Sequence, residues 1–163
     1  MKNIFLKALL ITVIYTFNLQ NLQAQTALRY FEFSNRCGHK EWRDTSFVVA
    51  TSNPVVIAIV ERELQKKPAD RTQAINGALA MGSNGYNKNA SYEFPWHIVE
   101  NDWTLNEVNI ELCDGCPYTD ISLGLNYWVN TVKRYCGWTT RVRREIINEC
   151  STTCAPVVLK LVK

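Results

Sequence analysis

Six cysteines constrain this chain more than any other feature of its sequence: Cys37, Cys113, Cys116, Cys136, Cys150 and Cys154. Their number is even, and all of them follow a stretch with the layout of a secretory signal peptide. Lys2 and Lys7 flank the start of an apolar run from Ile4 to Phe17 that holds no acidic residue, and Leu22-Gln23-Ala24 precedes the expected cut after Ala24. Residues 1–24 are therefore read as signal peptide and residues 25–163 as a single domain. The run is too short for a membrane span, and no later segment qualifies. No cysteine stands immediately after the expected cut, so a lipid anchor is not suggested. In an exported chain an even set of cysteines reads first as disulfides. The expected location is periplasmic or extracellular, and sequence alone leaves the pairing of the six open.

Charge excludes one class of partner. The chain carries 18 basic and 15 acidic residues, but Lys2 and Lys7 belong to the leader, so the remainder is near neutrality. That is not the balance of a nucleic-acid binder.

The pattern of apolar residues predicts an α+β fold. Arg29–Phe33 reads as a short aromatic strand, 34–45 as a polar loop, and Phe47–Ala50 as a central strand. Asn53 and Pro54 open a helix, with the asparagine as cap and the proline at the first helical position. Val56, Ile59, Val60 and Leu64 would share its inner face, and Pro68 ends it. Ile75–Met81 can form a strand, with Gly77, Gly82 and Gly85 marking turns. This glycine-rich stretch lacks the spacing and lysine of a phosphate loop. Tyr92, Phe94, Trp96 and Ile98 alternate with polar residues, and Pro95 places that strand at an edge or a bulge. Glu100–Leu105 then reads as a link. Val108, Ile110 and Leu112 form the cleanest alternation in the chain. Thr140–Ile146 is a strand with a charged outer face, and Val157, Leu159 and Leu161 make a last short one. Six or seven strands and two helices, with strands mostly adjacent in sequence, give a single α+β domain with a largely antiparallel sheet.

The segments Tyr30-Phe31-Glu32-Phe33, Phe47-Val48-Val49, Asn53-Pro54, Ser91-Tyr92-Glu93-Phe94, Ile110-Glu111-Leu112-Cys113-Asp114, Cys136-Gly137-Trp138 and Arg141-Val142 occur in the order of a known domain family. The chain resembles the family of the amino-terminal domain of a slime-mould calmodulin-binding protein, over about 29–147. The resemblance implies a compact domain in which Cys113 and Cys136 pair. It implies no catalytic residues and no cofactor. Cys37, Cys116, Cys150 and Cys154 are additions to the family pattern. Calmodulin is not expected as a partner, because the chain reads as exported and bacterial and has no clear basic amphipathic helix of the target type.

Several constellations could carry chemistry. Cys113-Asp114-Gly115-Cys116-Pro117 follows an expected strand and can open a helix, where a thiolate is stabilised for thiol–disulfide exchange. Too little chain follows to complete a thioredoxin-like fold, so structural bridging is the preferred reading. Cys113, Cys116, Cys150 and Cys154 could in principle hold zinc, but disulfides compete for these sulfurs, and no metal is expected. His39 and His97 are too few for a histidine-rich site, and His97 reads as a surface residue. Glu107 and Glu111 share an expected outer face as solvating charges. Lys133, Arg134, Arg141, Arg143 and Arg144 form a local basic cluster that could meet an acidic glycan or protein, although a solvated face is the simpler reading. Trp96 and Trp138 fit core positions. Trp42 and Trp103 fall in expected loops and are read as a recognition surface. The expectation is an exported, non-enzymatic binding module, inhibitor-like in its bracing, with a protein or glycan partner. A periplasmic oxidoreductase using Cys113 and Cys116 is the alternative.

Overall fold

Alternating side chains in Arg29–Ser34 (β1) send Phe31 and Phe33 to one face, where both are fully buried. The computed structural model that shows this describes residues 27–148 and, as backbone, 159–160. The segment expected to be a leader, Cys150 and Cys154 lie outside the described residues. After β1 the chain forms β2 (Ser46–Thr51), the helix α1 (Pro54–Gln65), β3 (Ala74–Met81), the short hairpin β4 (Lys88–Asn89) and β5 (Tyr92–Glu93), and the long β6 (Trp96–Asn106). A helical stretch follows, made of the π-helical turn Pro117–Ser122, α2 (Leu125–Tyr127) and a second π-helical turn Trp128–Val132. The chain returns through β7 (Arg134–Tyr135) to β8 (Arg141–Asn148) and β9 (Leu159–Lys160). Among the described residues no helix is long and apolar enough to cross a membrane.

Two antiparallel sheets, ordered β2-β1-β8-β9 and β6-β3-β7, enclose the core of this α+β domain. Aromatic rings join them. Trp103 of β6 meets Phe31 and Phe33 of β1 edge-on at centroid distances of 6.4 and 5.8 Å. Phe47 of β2 meets Trp96 of β6 at 5.5 Å and Tyr135 of β7 at 5.4 Å. The two buried indoles also satisfy their N–H groups, as burial requires. Trp103 Nε1 donates to the Ala50 carbonyl at 2.8 Å, and Trp96 Nε1 to the Pro117 carbonyl at 3.0 Å. α1 covers this core with Val56, Ile57 and Val60; its Asn53 cap accepts from Val55 N at 3.0 Å. Ile57 joins Val56 and Val60 in the buried set, whereas Ile59, expected on the inner face, is only half-buried.

β2 reads as a central strand because both its faces are apolar, yet it stands at the edge of its sheet. Its free edge is covered instead by the loop after β3. The fully buried Asn87 accepts from Val48 N at 3.0 Å and donates to the Trp96 carbonyl at 2.8 Å. One side chain thus supplies ladder bonds that a neighbouring strand would otherwise make, which is one way folds protect sheet edges.

Two expectations are overturned here. The link expected at 100–105 is strand: β6 runs through it to Asn106. The clean alternation of Val108, Ile110 and Leu112 is not strand, and all three side chains are exposed. The reason lies in the register. β3 begins at Ala74, which pairs with Asn106, so beyond Asn106 the chain has no partner to pair with.

Gly77 lies within β3 rather than in a turn. The β3–β6 register jumps there, pairing Gly77 with Trp103 and then Leu79 with Ile98, so residues 99–102 bulge outward. A Cβ at Gly77 would sit 2.5 Å from Ile98 Cγ2 and 2.6 Å from Trp103 Cβ. Gly77→Ala should therefore lower stability by about 1–3 kcal/mol through overpacking. Gly38→Ala, where nothing lies within 4 Å of the added carbon, should leave it unchanged. Urea midpoints of the two variants test this, and equal midpoints would contradict the described register.

Buried tyrosines set an alkaline limit. Burial raises the hydroxyl of Tyr135, which bonds Thr140 Oγ1 at 2.7 Å, well above the ordinary 10.0. Burial and then nearby Glu100 do the same to Tyr86, whose hydroxyl donates to the Ile98 carbonyl. As pH passes the ordinary value, the unfolded chain releases these protons before the folded one does. Stability is therefore full below about pH 10 and falls above it. Thermal unfolding followed between about pH 8 and 11 should show a falling Tm only above about pH 9.5. A flat profile there would mean that these rings are not buried.

Candidate functional site

Register places the ends of distant segments side by side at one end of the first sheet. Ser34 pairs with Arg141, so the exit of β1 and the entry of β8 are neighbours. The 3-10 turn Pro68–Asp70 follows α1 and forms the opposite wall. Between them opens a cleft of about 690 Å³, lined by Arg36, Pro68, Arg71, Trp138, Arg141 and Arg143, among others. That volume is within the usual range for small-ligand sites.

Each arginine is held differently. Arg71 spends its donors on main-chain carbonyls: Nη1 on Val142 and Arg143, both at 2.9 Å, Nη2 on Leu64 at 3.1 Å and Nε on Lys66 at 3.3 Å. Arg141 donates from Nε to the Arg71 carbonyl and from Nη1 to the carbonyls of Trp138 and Thr140. Burial lowers the pKa of Arg141, and the attraction of Glu63 only partly opposes it. It remains a cation at neutral pH. Arg36 is positioned through its backbone N–H, which donates to Asn35 Oδ1 at 2.9 Å and Thr139 Oγ1 at 3.1 Å. Arg143 is paired with Glu32 at 3.1 Å.

Carbonyls bond a guanidinium without cancelling its charge. Among the described residues Arg36, Arg71 and Arg141 form no ion pair; Glu63 attracts Arg141 from a distance but is paired with Lys66, and of the cleft arginines Arg143 is the one in a direct pair. Asp70 adjoins the wall and Asp114 Oδ1 accepts from Trp138 N at 2.9 Å, but neither pairs with a cleft arginine. Trp138 stands at the rim, 49% exposed. Its neighbour Gly137 explains why the turn is tight: a Cβ there would strike Thr140 Oγ1 and the Tyr135 hydroxyl. The arrangement is a positive, half-open pocket with a flat aromatic edge. Guanidinium forks bond carboxylate, sulfate or phosphate oxygens.

The residues singled out in the sequence are placed elsewhere. Cys113 is bonded to Cys136 and Cys37 to Cys116, with Cα–Cα distances of 5.1 and 6.0 Å. Cys113 and Cys116 therefore belong to different bridges and form no dithiol pair for exchange. The same bridges take Cys113 and Cys116 out of a zinc set with Cys150 and Cys154. Trp103 is in β6 and buried, not in a loop: the strand continues past the bulge, and Gly77 opposite lets the Trp103 Cβ approach closely. Trp42 does lie on a loop, on the 3-10 turn Trp42–Asp44, and is 48% exposed, but it does not line the cleft. Trp138, expected in the core, is at the rim instead. Of the local basic cluster, Arg134 bonds Asp102 and Asn76, Arg143 and Arg144 face Glu32, and Arg141 enters the cleft. Glu107 and Glu111 are exposed and lie outside any strand. His97 is half-buried and its Nδ1 lies 2.7 Å from the Gly82 carbonyl.

Arg36 and Arg71 carry no local pattern that marks them. One sits in a polar loop and the other after a helix, and only β-pairing over more than a hundred residues brings Arg36 to Arg141.

A family model described as the BP-74 N-terminal domain matches residues 27–149. That span contains every residue that lines the cleft. No curated protein and no solved structure matches the chain.

Proposed function

The chain belongs to this N-terminal domain family, and from that premise we propose that it is an exported, non-enzymatic binding module whose cleft takes an anionic ligand. The observation that carries this reading is the convergence of Arg36, Arg71 and Arg141, without carboxylate partners, on one cleft beside the exposed Trp138. A charge that a protein leaves uncompensated in a concave site is an affinity for the opposite charge. The ligand class is a carboxylated or sulfated group on an acidic sugar or on a protein. Arg36 and the free edge of Arg141 would bond its oxygens, and Trp138 would cover its apolar face. Arg71 would act by charge alone, since its donors are already engaged. Export is supported by the leader-like first residues and by two disulfides in the described domain.

Isothermal titration of the oxidised protein with a sulfated oligosaccharide, a polyuronate fragment and an acidic peptide tests the reading and separates the sources of the anion. One of the three should bind, with affinity falling as salt rises. Arg36→Ala and Trp138→Ala should each weaken it roughly 10-fold, the loss of a charge-assisted hydrogen bond or an aromatic contact. Arg62→Ala, exposed on α1 and away from the cleft, should not change it. Binding to none of the three, or binding indifferent to Arg36 and Trp138, would overturn the proposal.

A further inference from the structure

Apart from the cleft, one cluster gathers four metal-ligating side chains: Cys37, His39, Asp44 and Cys116, whose ligand atoms all lie within 4.8 Å of one another. In the oxidised protein the two sulfurs are bonded to each other. We propose that opening this one bridge creates a zinc site of two thiolates, one imidazole and one carboxylate.

Three observations support it. The first is geometry. His39 Nε2 lies 3.5 Å from Asp44 Oδ2. Nitrogen and oxygen ligands each about 2.0–2.1 Å from a tetrahedral zinc are separated by about 3.3–3.4 Å. The pair is thus already near its coordination spacing, and the sulfurs need only part to about 3.8 Å. The second is preorganisation. Asp44 is 1% exposed, and its carboxylate is fixed by Thr119 Oγ1 at 2.9 Å and by the N–H groups of Tyr118 and Thr119. A ligating carboxylate held in this way is the outer-shell support that metal sites need. Asn35 Nδ2 points at Cys37 Sγ from 3.4 Å, a donor suited to a thiolate. The third is access. Cys37 and Cys116 are half-buried, whereas Cys113 and Cys136 are buried, so a thiol reductant reaches the first bridge before the second.

The chemistry balances with a dithiol as reductant. Its two sulfurs become a disulfide, and the protein bridge takes the two electrons and two protons to become two thiols. Zn²⁺ then displaces both thiol protons to solvent. For Nε2 to ligate, His39 carries its proton on Nδ1 and gives up two contacts: that of Nδ1 with Glu41 N–H at 3.3 Å and that of Nε2 with Thr119 Oγ1 at 3.2 Å. That loop holds Gly38 and Lys40 and is exposed, so the ring has room to turn.

The test is a cobalt and zinc titration of the full protein under mild dithiol, read by Co²⁺ ligand-field and thiolate-to-metal absorption and by competition with a zinc chelator. The expected result is one ion per chain with a tetrahedral, sulfur-containing spectrum, absent from the oxidised protein. Cys37→Ser should abolish that spectrum. His39→Ala, at an exposed side chain whose loss leaves the fold intact, should weaken zinc by at least about 10-fold and change the ligand field. His97→Ala should do neither. Circular dichroism of each reduced sample checks that it is folded. No uptake by folded reduced protein, or uptake that survives Cys37→Ser or ignores His39→Ala, would overturn the proposal.

Discussion

Four main-chain carbonyls converge on the Arg71 guanidinium, and the site end of the molecule is arranged around that contact. Leu64 and Lys66 offer carbonyls that the end of α1 leaves unpaired, and Val142 and Arg143 offer theirs from β8. A planar five-donor fork can satisfy such a set; a lysine ammonium, with three donors and no fixed plane, would not hold both elements in one orientation. The helix end is thereby fastened to the sheet, and the turn at Pro68–Asp70 becomes a wall. The same bonds leave the positive charge uncancelled. Structural need and electrostatic character of the cleft therefore have one cause.

The rest of the fold supplies a rigid base for that wall. Large rings from both sheets interlock, and each buried indole N–H has a carbonyl to bond. Asn87 closes the edge of β2 from within the domain. The two bridges act on the irregular parts rather than on the sheets. Cys37–Cys116 joins the loop after β1 to the start of the helical stretch, and Cys113–Cys136 joins the segment after β6 to the end of β7. Regular backbone is held by its ladders; segments without ladders are held by sulfur. Asp44 reinforces the first of these joins with a buried carboxylate on the backbone of Tyr118 and Thr119.

Much of the fold is legible in the sequence where local rules decide. Asn53-Pro54 announces the helix, and the capping bond is there. The aromatic alternation of β1 and the charged alternation of β8 announce strands. Sequence reasoning fails where a partner decides. Val108, Ile110 and Leu112 have a strand's pattern, but strand pairing needs a second chain segment, and β3 does not extend back beyond Ala74, the partner of Asn106. Trp103 reads as a loop residue because bulged residues interrupt its alternation. Gly77 reads as a turn because a glycine that lets neighbouring side chains approach closely and one that makes a turn look alike in one dimension. The cleft is legible only as two arginines of a local cluster, Arg141 and Arg143, since Arg36 and Arg71 carry no periodic signal.

What the sequence alone determined is the class: α+β with short antiparallel strands, one capped helix and an even set of cysteines. Those follow from side-chain periodicity, capping chemistry and composition, which act over a few residues. The tertiary structure decided which cysteines meet, which tryptophans are covered and which arginines share a cleft. These outcomes depend on register and on contacts between residues separated by most of the chain. A shift of one pair would send Arg141 to the other face of its strand. The physical reason for the division is range: propensity is local, whereas a binding site is made by the few long-range contacts that propensity does not encode.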